Sequence, residues 1–124
     1  MATKQEKAVI EIARVYYGSV KKKYKKSVPD LAGLCCDVST ALGEKLLKKG
    51  FETDLVSGRY IMDDDRDGYH YWLEFNGKVL DLTCEQFKYG VKGKRVYPIF
   101  LKPYTKRYKK GSMEQQFQKK RKAA

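Results

Sequence analysis

The sequence of 124 residues is short of several residue types, and each shortage excludes a class of protein. Its three cysteines are an odd number, and two of them, Cys35 and Cys36, are adjacent, which does not fit a disulfide framework. No apolar run approaches the roughly 18 residues of a membrane span, and residues 1–7 lack the apolar core of a secretory signal. These absences predict one cytoplasmic domain with reduced thiols and no membrane span.

Acidic residues are scarce at both ends of the chain, although they are plentiful in its middle. The net charge is +5 over residues 1–30, −5 over residues 31–87 and +12 over residues 88–124, which together give +12 for the chain. The basic flanks are typical either of solvated, steering surfaces or of attachment to an acidic partner, nucleic acid or an anionic membrane surface. The basic character therefore need not belong to the chemistry of the middle segment.

Apolar residues recur at helical spacing over residues 4–17 and again over residues 34–49, so we expect two amphipathic helices. The lysine-rich stretch 21–26 between them is expected to be a loop or a frayed helix end. Gly50 suits the C-terminal cap of the second helix. Cys35 therefore falls in the first turn of that helix.

Beyond Gly50 the pattern changes to that of strands, which we expect over residues 51–57, 69–75, 78–83 and 95–101. Asn76-Gly77 is a strong hairpin signal, and Pro98 indicates an edge position for the last strand. The fold class predicted is α+β, with N-terminal helices packed on a three- to four-stranded antiparallel sheet. Residues 1–104 are expected to form the single domain, and residues 105–124 a basic tail or a poorly anchored helix.

A spaced trio, Cys35, His70 and Asp81, has the order of a cysteine nucleophile, its base and the residue that orients the base. His70 is the only histidine in the chain. A two-residue Asn-Gly turn pairs Phe75 with Lys78, which places Asp81 diagonally next to His70 on one sheet face. A register slip of one residue would separate them.

The position of Cys35 also favours ionisation of its thiol, because exposed N–H groups at a helix N-terminus stabilise the thiolate. Cys36 is the competing nucleophile, and Cys84 is expected to be a core residue. Taken singly, each member of the trio also has a structural interpretation, as a small core residue, a strand histidine or a turn aspartate. If the three do not converge, the protein is a small basic binding protein.

Metal binding is a second interpretation of the Cys and His residues. A zinc set of Cys35, Cys36, Cys84 and His70 is disfavoured, because adjacent cysteines rarely reach one tetrahedral ion and the chain has no C-x₂-C pair. The acidic stretch 63–68 lacks the ligand spacing of a calcium loop. We therefore expect neither a metal nor a cofactor.

Four short motifs carry a resemblance to a known family. They are Gly33-x-Cys35-x-x-x-Ser39, His70-x-Trp72-x-Glu74 with Asn76-Gly77, Asp81-x-Thr83, and Gln86-Phe87. Over residues 31–87 the chain resembles the papain-like superfamily and, within it, the transglutaminase-like cysteine hydrolases and acyltransferases.

The resemblance implies a triad in which Cys35 is the nucleophile, His70 the base and then the acid, and Asp81 the orienter. Its Cys-x-x-x-Ser spacing selects Cys35 over Cys36, with Trp72, Ser39 and Cys36 as possible supporting residues. Papain-like peptidases carry a glutamine six residues before the cysteine. That position is Pro29 here, so the oxyanion hole is left unassigned.

The function expected is thiol-dependent amide or peptide hydrolysis or acyl transfer on a protein or peptide substrate. The alternative is a basic nucleic-acid-binding or interaction module on an inactive papain-like fold. For that alternative, tyrosines that interleave with the C-terminal lysines are candidates to stack on bases, namely Tyr89, Tyr97, Tyr104 and Tyr108.

Overall fold

A computed structural model describes residues 2–91 and 96–119. Its elements in chain order are α1 (Lys4–Tyr24), α2 (Cys35–Lys48), β1 (Thr53–Ile61), β2 (Asp67–Phe75), β3 (Lys78–Asp81), a 3₁₀ helix (Cys84–Gly90), β4 (Ile99–Lys102) and β5 (Tyr108–Phe117). The strands form one antiparallel sheet in the order β4-β3-β2-β1-β5. The α+β class is confirmed, but the expected strand number is wrong, since the sheet has five strands. Within the described ranges no helix is both long enough and apolar enough to cross a membrane.

Helix α1 is anchored at its first turn by a buried glutamate. Thr3 and Glu6 form a capping box, with hydrogen bonds of 3.0 and 3.1 Å between each side chain and the other residue's backbone N–H. The Glu6 carboxylate also accepts hydrogen bonds from Lys78 and Asn76, which ties α1 to the β2–β3 hairpin. The helix continues to Tyr24, past the end at residue 17 that the sequence predicts, because Val20 is buried in the core.

The core lies mainly between the helices and one face of the sheet. Side chains of α1, α2 and the sheet form one cluster there, which includes Val9, Leu42, Leu46, Leu55, Leu73, Leu80 and Phe117. The other face carries a smaller cluster of Val56, Trp72 and Val79, against which Tyr104 and Tyr108 pack. Since alternate residues of a strand point to one face, His70 projects on the same side as Trp72.

The β2–β3 hairpin has the register that the sequence predicts, with Phe75 paired with Lys78. Asn76 and Gly77 have φ angles of 54° and 71°, the two positive values that a type I′ turn requires. Strand β4 lies at the edge of the sheet, as Pro98 indicates. It begins at Ile99, and Arg95, the predicted start, lies outside the described residues.

Strand β5 corrects the expectation of a tail over residues 105–124. Residues 108–117 pair with β1 along its length, with two register shifts, while residues 120–124 lie outside the description. The strand has no apolar alternation, because most of its side chains are exposed and only its end residues Tyr108 and Phe117 pack inward. Its position depends on the backbone ladder and on those two aromatic anchors.

The contact of Phe117 with α2 allows a test of how β5 packs on that helix. A Cβ added at Gly43 would lie 2.4 Å from the Phe117 ring, whereas one at Gly18 on α1 would meet nothing within 4 Å. We expect Gly43→Ala to lower the free energy of unfolding by about 1–3 kcal/mol, through overpacking. Gly18→Ala should raise it by about 0.5–1 kcal/mol, because alanine favours the helix.

Urea unfolding of both variants measures these changes. A Gly43→Ala protein as stable as Gly18→Ala would contradict the packing of β5 on α2.

Candidate active site

Cys35 begins helix α2 and is held there by a tight turn. Leu31 and Gly33 have φ angles of 60° and 80°, and the cap residue Leu34 makes no side-chain hydrogen bond to the first turn. The N–H groups at the start of α2, beside Cys35, therefore have no side-chain cap. Lys21 of α1 braces this turn by donating to the Pro29 carbonyl and by pairing with Glu85 at 2.7 Å.

The Cys35 thiol is half-buried and is set to ionise easily. Burial alone would raise its pKa, but the hydrogen bond and charge of His70 and the backbone N–H of Tyr71 together hold the pKa below its usual value. A thiol of lowered pKa that is still partly accessible is the kind that reacts as a nucleophile.

His70 and Asp81 are both fully buried and bind each other directly. His70 Nε2 lies 2.7 Å from Asp81 Oδ2, and both side chains have no solvent exposure. Burial would lower the pKa of His70, yet the charge and hydrogen bond of Asp81, with Cys35, raise it to about 9. The imidazolium is therefore the favoured form at neutral pH, with its second nitrogen, Nδ1, left for the thiol.

Asp81 is held by four hydrogen bonds. Oδ2 accepts from His70 and from the Tyr108 hydroxyl, each at 2.7 Å, and Oδ1 accepts from the backbone N–H and hydroxyl of Thr83 at 3.0 and 3.4 Å. Burial raises the pKa of a carboxyl group, but the charge of His70 and these donors outweigh it and lower the Asp81 pKa. The carboxylate is thus kept ionised inside the protein and fixed in orientation.

Aromatic rings enclose the imidazole. Phe87 of the 3₁₀ helix meets it edge-on at 5.0 Å, Trp72 lies at 6.0 Å and Tyr60 at 6.1 Å between ring centroids. Phe87 also stacks on Tyr60 at 4.5 Å, in a space that a side chain at Gly68 would fill. These rings exclude water from the His70–Asp81 pair, which strengthens the electrostatic interaction between them.

Gln86 is a polar group of the site to which the sequence assigns no role. Its amide Nε2 lies 3.0 Å from the Thr83 carbonyl, to which it donates, and 3.5 Å from His70 Nδ1. The amide is therefore anchored beside the nitrogen that serves the thiol. The Gln86-Phe87 pair is visible in the sequence, but its spacing does not predict the 3₁₀ helix that the chain forms there.

The predicted supporting residues divide into three cases. Trp72 is buried beside His70 and donates from Nε1 to the Tyr104 hydroxyl at 2.9 Å. Cys36 is exposed to solvent. Ser39 is buried in α2, and no hydrogen bond within the described part of the chain joins it to the triad.

Two of the four C-terminal tyrosines are exposed, and the other two are packed inside the protein. Tyr89 and Tyr97 are exposed, at 82% and 64%, and for them the stacking role stays a prediction. The predicted stacking role does not fit Tyr104 and Tyr108, because both rings pack against Trp72 and both hydroxyls are bound inside the protein.

Cys84, the third cysteine, is buried. Burial raises the pKa of its thiol well above the usual value, and Sγ lies 3.0 Å from the Tyr97 carbonyl oxygen. Over residues 2–91 and 96–119, no three His, Cys, Asp or Glu side chains are grouped to hold a metal ion.

Comparison with known proteins found no family model, no curated protein and no solved structure that matches the chain.

The three cysteines predict a clear order of reactivity. Cys35 should react with iodoacetamide much faster than Cys36 at pH 7, although Cys36 is the more exposed, because His70 lowers the pKa of the Cys35 thiol. Cys84 should remain unlabelled in the folded protein. Peptide mass mapping after limiting alkylation measures this order.

His70→Ala should lower the alkylation rate of Cys35 by about tenfold or more, while the alkylation rate of Cys36 stays unchanged and serves as the internal control. Equal labelling of Cys35 and Cys36 in the wild type would contradict an activated thiolate.

Proposed function

We propose that this protein is a thiol-dependent amide hydrolase or acyltransferase that uses Cys35, His70 and Asp81 as a triad. The observation that carries the proposal is the fully buried contact of 2.7 Å between His70 and Asp81, beside a half-buried thiol of lowered pKa at a helix N-terminus. A buried carboxylate that orients an imidazole toward a thiol is the arrangement that nucleophilic catalysis requires. The resemblance of residues 31–87 to transglutaminase-like enzymes supports the same reaction.

The reaction proceeds through an acyl-enzyme. The Cys35 thiolate attacks the carbonyl carbon of an amide or ester and forms a C–S bond, while the carbonyl π electrons move to oxygen. As the tetrahedral intermediate collapses, the C–N or C–O bond breaks and the leaving group takes a proton from the His70 imidazolium. His70, now neutral, takes a proton from water or an amine, which attacks the thioester carbonyl. The C–S bond then breaks, the acid or amide product leaves, and the Cys35 thiolate and the His70 imidazolium are restored.

We assign two donors to the oxyanion of that intermediate. The backbone N–H of Cys35 lies at the start of α2, whose first turn has no side-chain cap. The Gln86 amide, anchored on the Thr83 carbonyl, supplies the second donor from beside His70 Nδ1. Such donors contribute in the transition state and not in the ground state, so their loss lowers kcat.

The substrate we propose is a protein or peptide, with a peptide, isopeptide or glutamine amide as the bond attacked. All three cysteines are free, which supports action in a reducing compartment such as the cytoplasm. The basic flanks provide a means of holding the enzyme on an acidic partner or nucleic acid. If they bind nucleic acid, the affinity will fall steeply with salt and will survive Cys35→Ala, whereas turnover will not.

An activated ester tests the reaction without knowledge of the natural substrate. We expect p-nitrophenyl acetate to acetylate Cys35, seen as an acyl-enzyme by intact-protein mass spectrometry, with release of p-nitrophenolate and slow regeneration by water or an added primary amine. Cys36→Ser is the matched control and should behave as the wild type, while Cys35→Ser should lose the adduct. Acetylation of Cys36 in place of Cys35 would overturn the proposal.

Gln86→Ala tests the assignment of the second donor. Removing one oxyanion donor costs about a hundred- to a thousandfold in kcat, so we expect ester turnover to fall by that order while alkylation of Cys35 is unchanged. Gln115→Ala, on the exposed part of β5, serves as the control. Unchanged turnover in Gln86→Ala would remove this residue from the oxyanion site.

A further inference from the structure

Tyr108 reaches the buried carboxylate from a strand that the motifs of the sequence do not include. It is the first residue of β5, and its hydroxyl donates to Asp81 Oδ2 at 2.7 Å. That is the same oxygen, at the same distance, that binds His70 Nε2. The Tyr108 ring is held between Trp72 and Tyr60, at centroid distances of 5.1 and 5.3 Å, so the hydroxyl has little freedom to leave.

The shared oxygen has a chemical consequence. Several donors that hydrogen-bond to one carboxylate oxygen share its negative charge. Each further hydrogen bond therefore weakens the others. Thr83 occupies Oδ1, so Asp81 stays oriented without Tyr108. The Tyr108 hydroxyl therefore acts mainly on the strength of the His70–Asp81 hydrogen bond.

Other titratable groups surround the pair. They are Cys35 from α2, Tyr60 from β1, Cys84 from the 3₁₀ helix and Tyr108 itself from β5. Cys84 and Tyr60 are kept neutral near pH 7, because burial raises both pKa values, that of Tyr60 to about 12. Cys84 and Tyr60 therefore add no charge beside the His70–Asp81 pair at neutral pH, although Arg107 and Asp63 act on Tyr60 and Glu85 acts on Cys84.

We propose, on the basis of the proposed function, that Tyr108 is a positioning residue of the triad: its hydroxyl shares Asp81 Oδ2 with His70 and so sets how strongly the aspartate holds the imidazolium. Strand β5 thus belongs to the catalytic unit. Its register on β1 determines the pH range over which the thiolate–imidazolium pair exists.

The chain offers a matched control in Tyr104. This tyrosine also packs on Trp72, at 6.3 Å, and its hydroxyl is also bound inside, to Trp72 Nε1 and to Glu74 at 2.5 Å. It does not donate to Asp81. Tyr104→Phe and Tyr108→Phe therefore remove equivalent groups from the same side of the sheet, but only the second frees Asp81 Oδ2.

The experiment measures the rate of Cys35 alkylation by iodoacetate from pH 5 to 11. Because this reagent is an anion, its reaction is fastest while His70 is positively charged, and the rate declines on the alkaline side as the imidazolium loses its proton. Without the Tyr108 hydroxyl, Asp81 holds the imidazolium more tightly. We expect the alkaline midpoint of Tyr108→Phe to move upward by about 0.5–1 pH unit, and that of Tyr104→Phe to match the wild type.

Three results would overturn this inference. An unshifted or downward-shifted midpoint in Tyr108→Phe would show that the hydroxyl is only structural. An equal shift in Tyr104→Phe would assign the effect to lost packing. A wild type whose Cys35 shows no activation would overturn the proposed function together with the inference, so the two failures are distinguishable.

If thermal unfolding shows that Tyr108→Phe does not fold, a fluorinated tyrosine placed at position 108 keeps the ring and strengthens the donor. The midpoint should then move downward, and a midpoint that stays at the wild-type value would overturn the inference.

Discussion

The hydrogen bond between His70 and Asp81 is the interaction on which the rest of this structure depends. A carboxylate with no solvent exposure is costly to bury, and this one persists because its oxygens accept from His70, Tyr108 and Thr83. These donors come from β2, β5 and the residue that precedes the 3₁₀ helix. The sheet must therefore close in one register for the charge to be satisfied, and removal of any donor leaves a buried charge less well compensated.

The remaining elements place a thiol where this pair can use it. Helix α2 starts at Cys35, directly after the turn at Leu31 and Gly33, and the thiol interacts there with His70 and Tyr71 of β2. Helix α1 keeps that turn in position through Lys21, which also binds Glu85 of the 3₁₀ helix that carries Gln86 and Phe87. These contacts link the packing of the helices on the sheet to the burial of the His70–Asp81 pair. The reactive groups meet where α2 begins beside β2.

Much of this arrangement could be predicted from the sequence, because local signals specify it. The Asn76-Gly77 turn fixed the β2–β3 register, and from that register followed the contact of His70 with Asp81. Strand β5 could not be predicted, because its side chains are mostly exposed and it is held by backbone pairing with β1. The sequence therefore predicts that Tyr108 lies in a tail, and its bond to Asp81 is visible only when strands distant in sequence are brought together.

The central claim is that a buried aspartate holds His70 as an imidazolium beside a thiol, and nuclear magnetic resonance tests it most directly. His70 is the only histidine in the chain, so its ring signals need no assignment. We predict a titration midpoint near 9 in the wild type, since Asp81 and Cys35 raise the pKa of His70 above 6.5, and a lower midpoint in Asp81→Asn. A midpoint at or below 6.5 in the wild type, unchanged in Asp81→Asn, would contradict it.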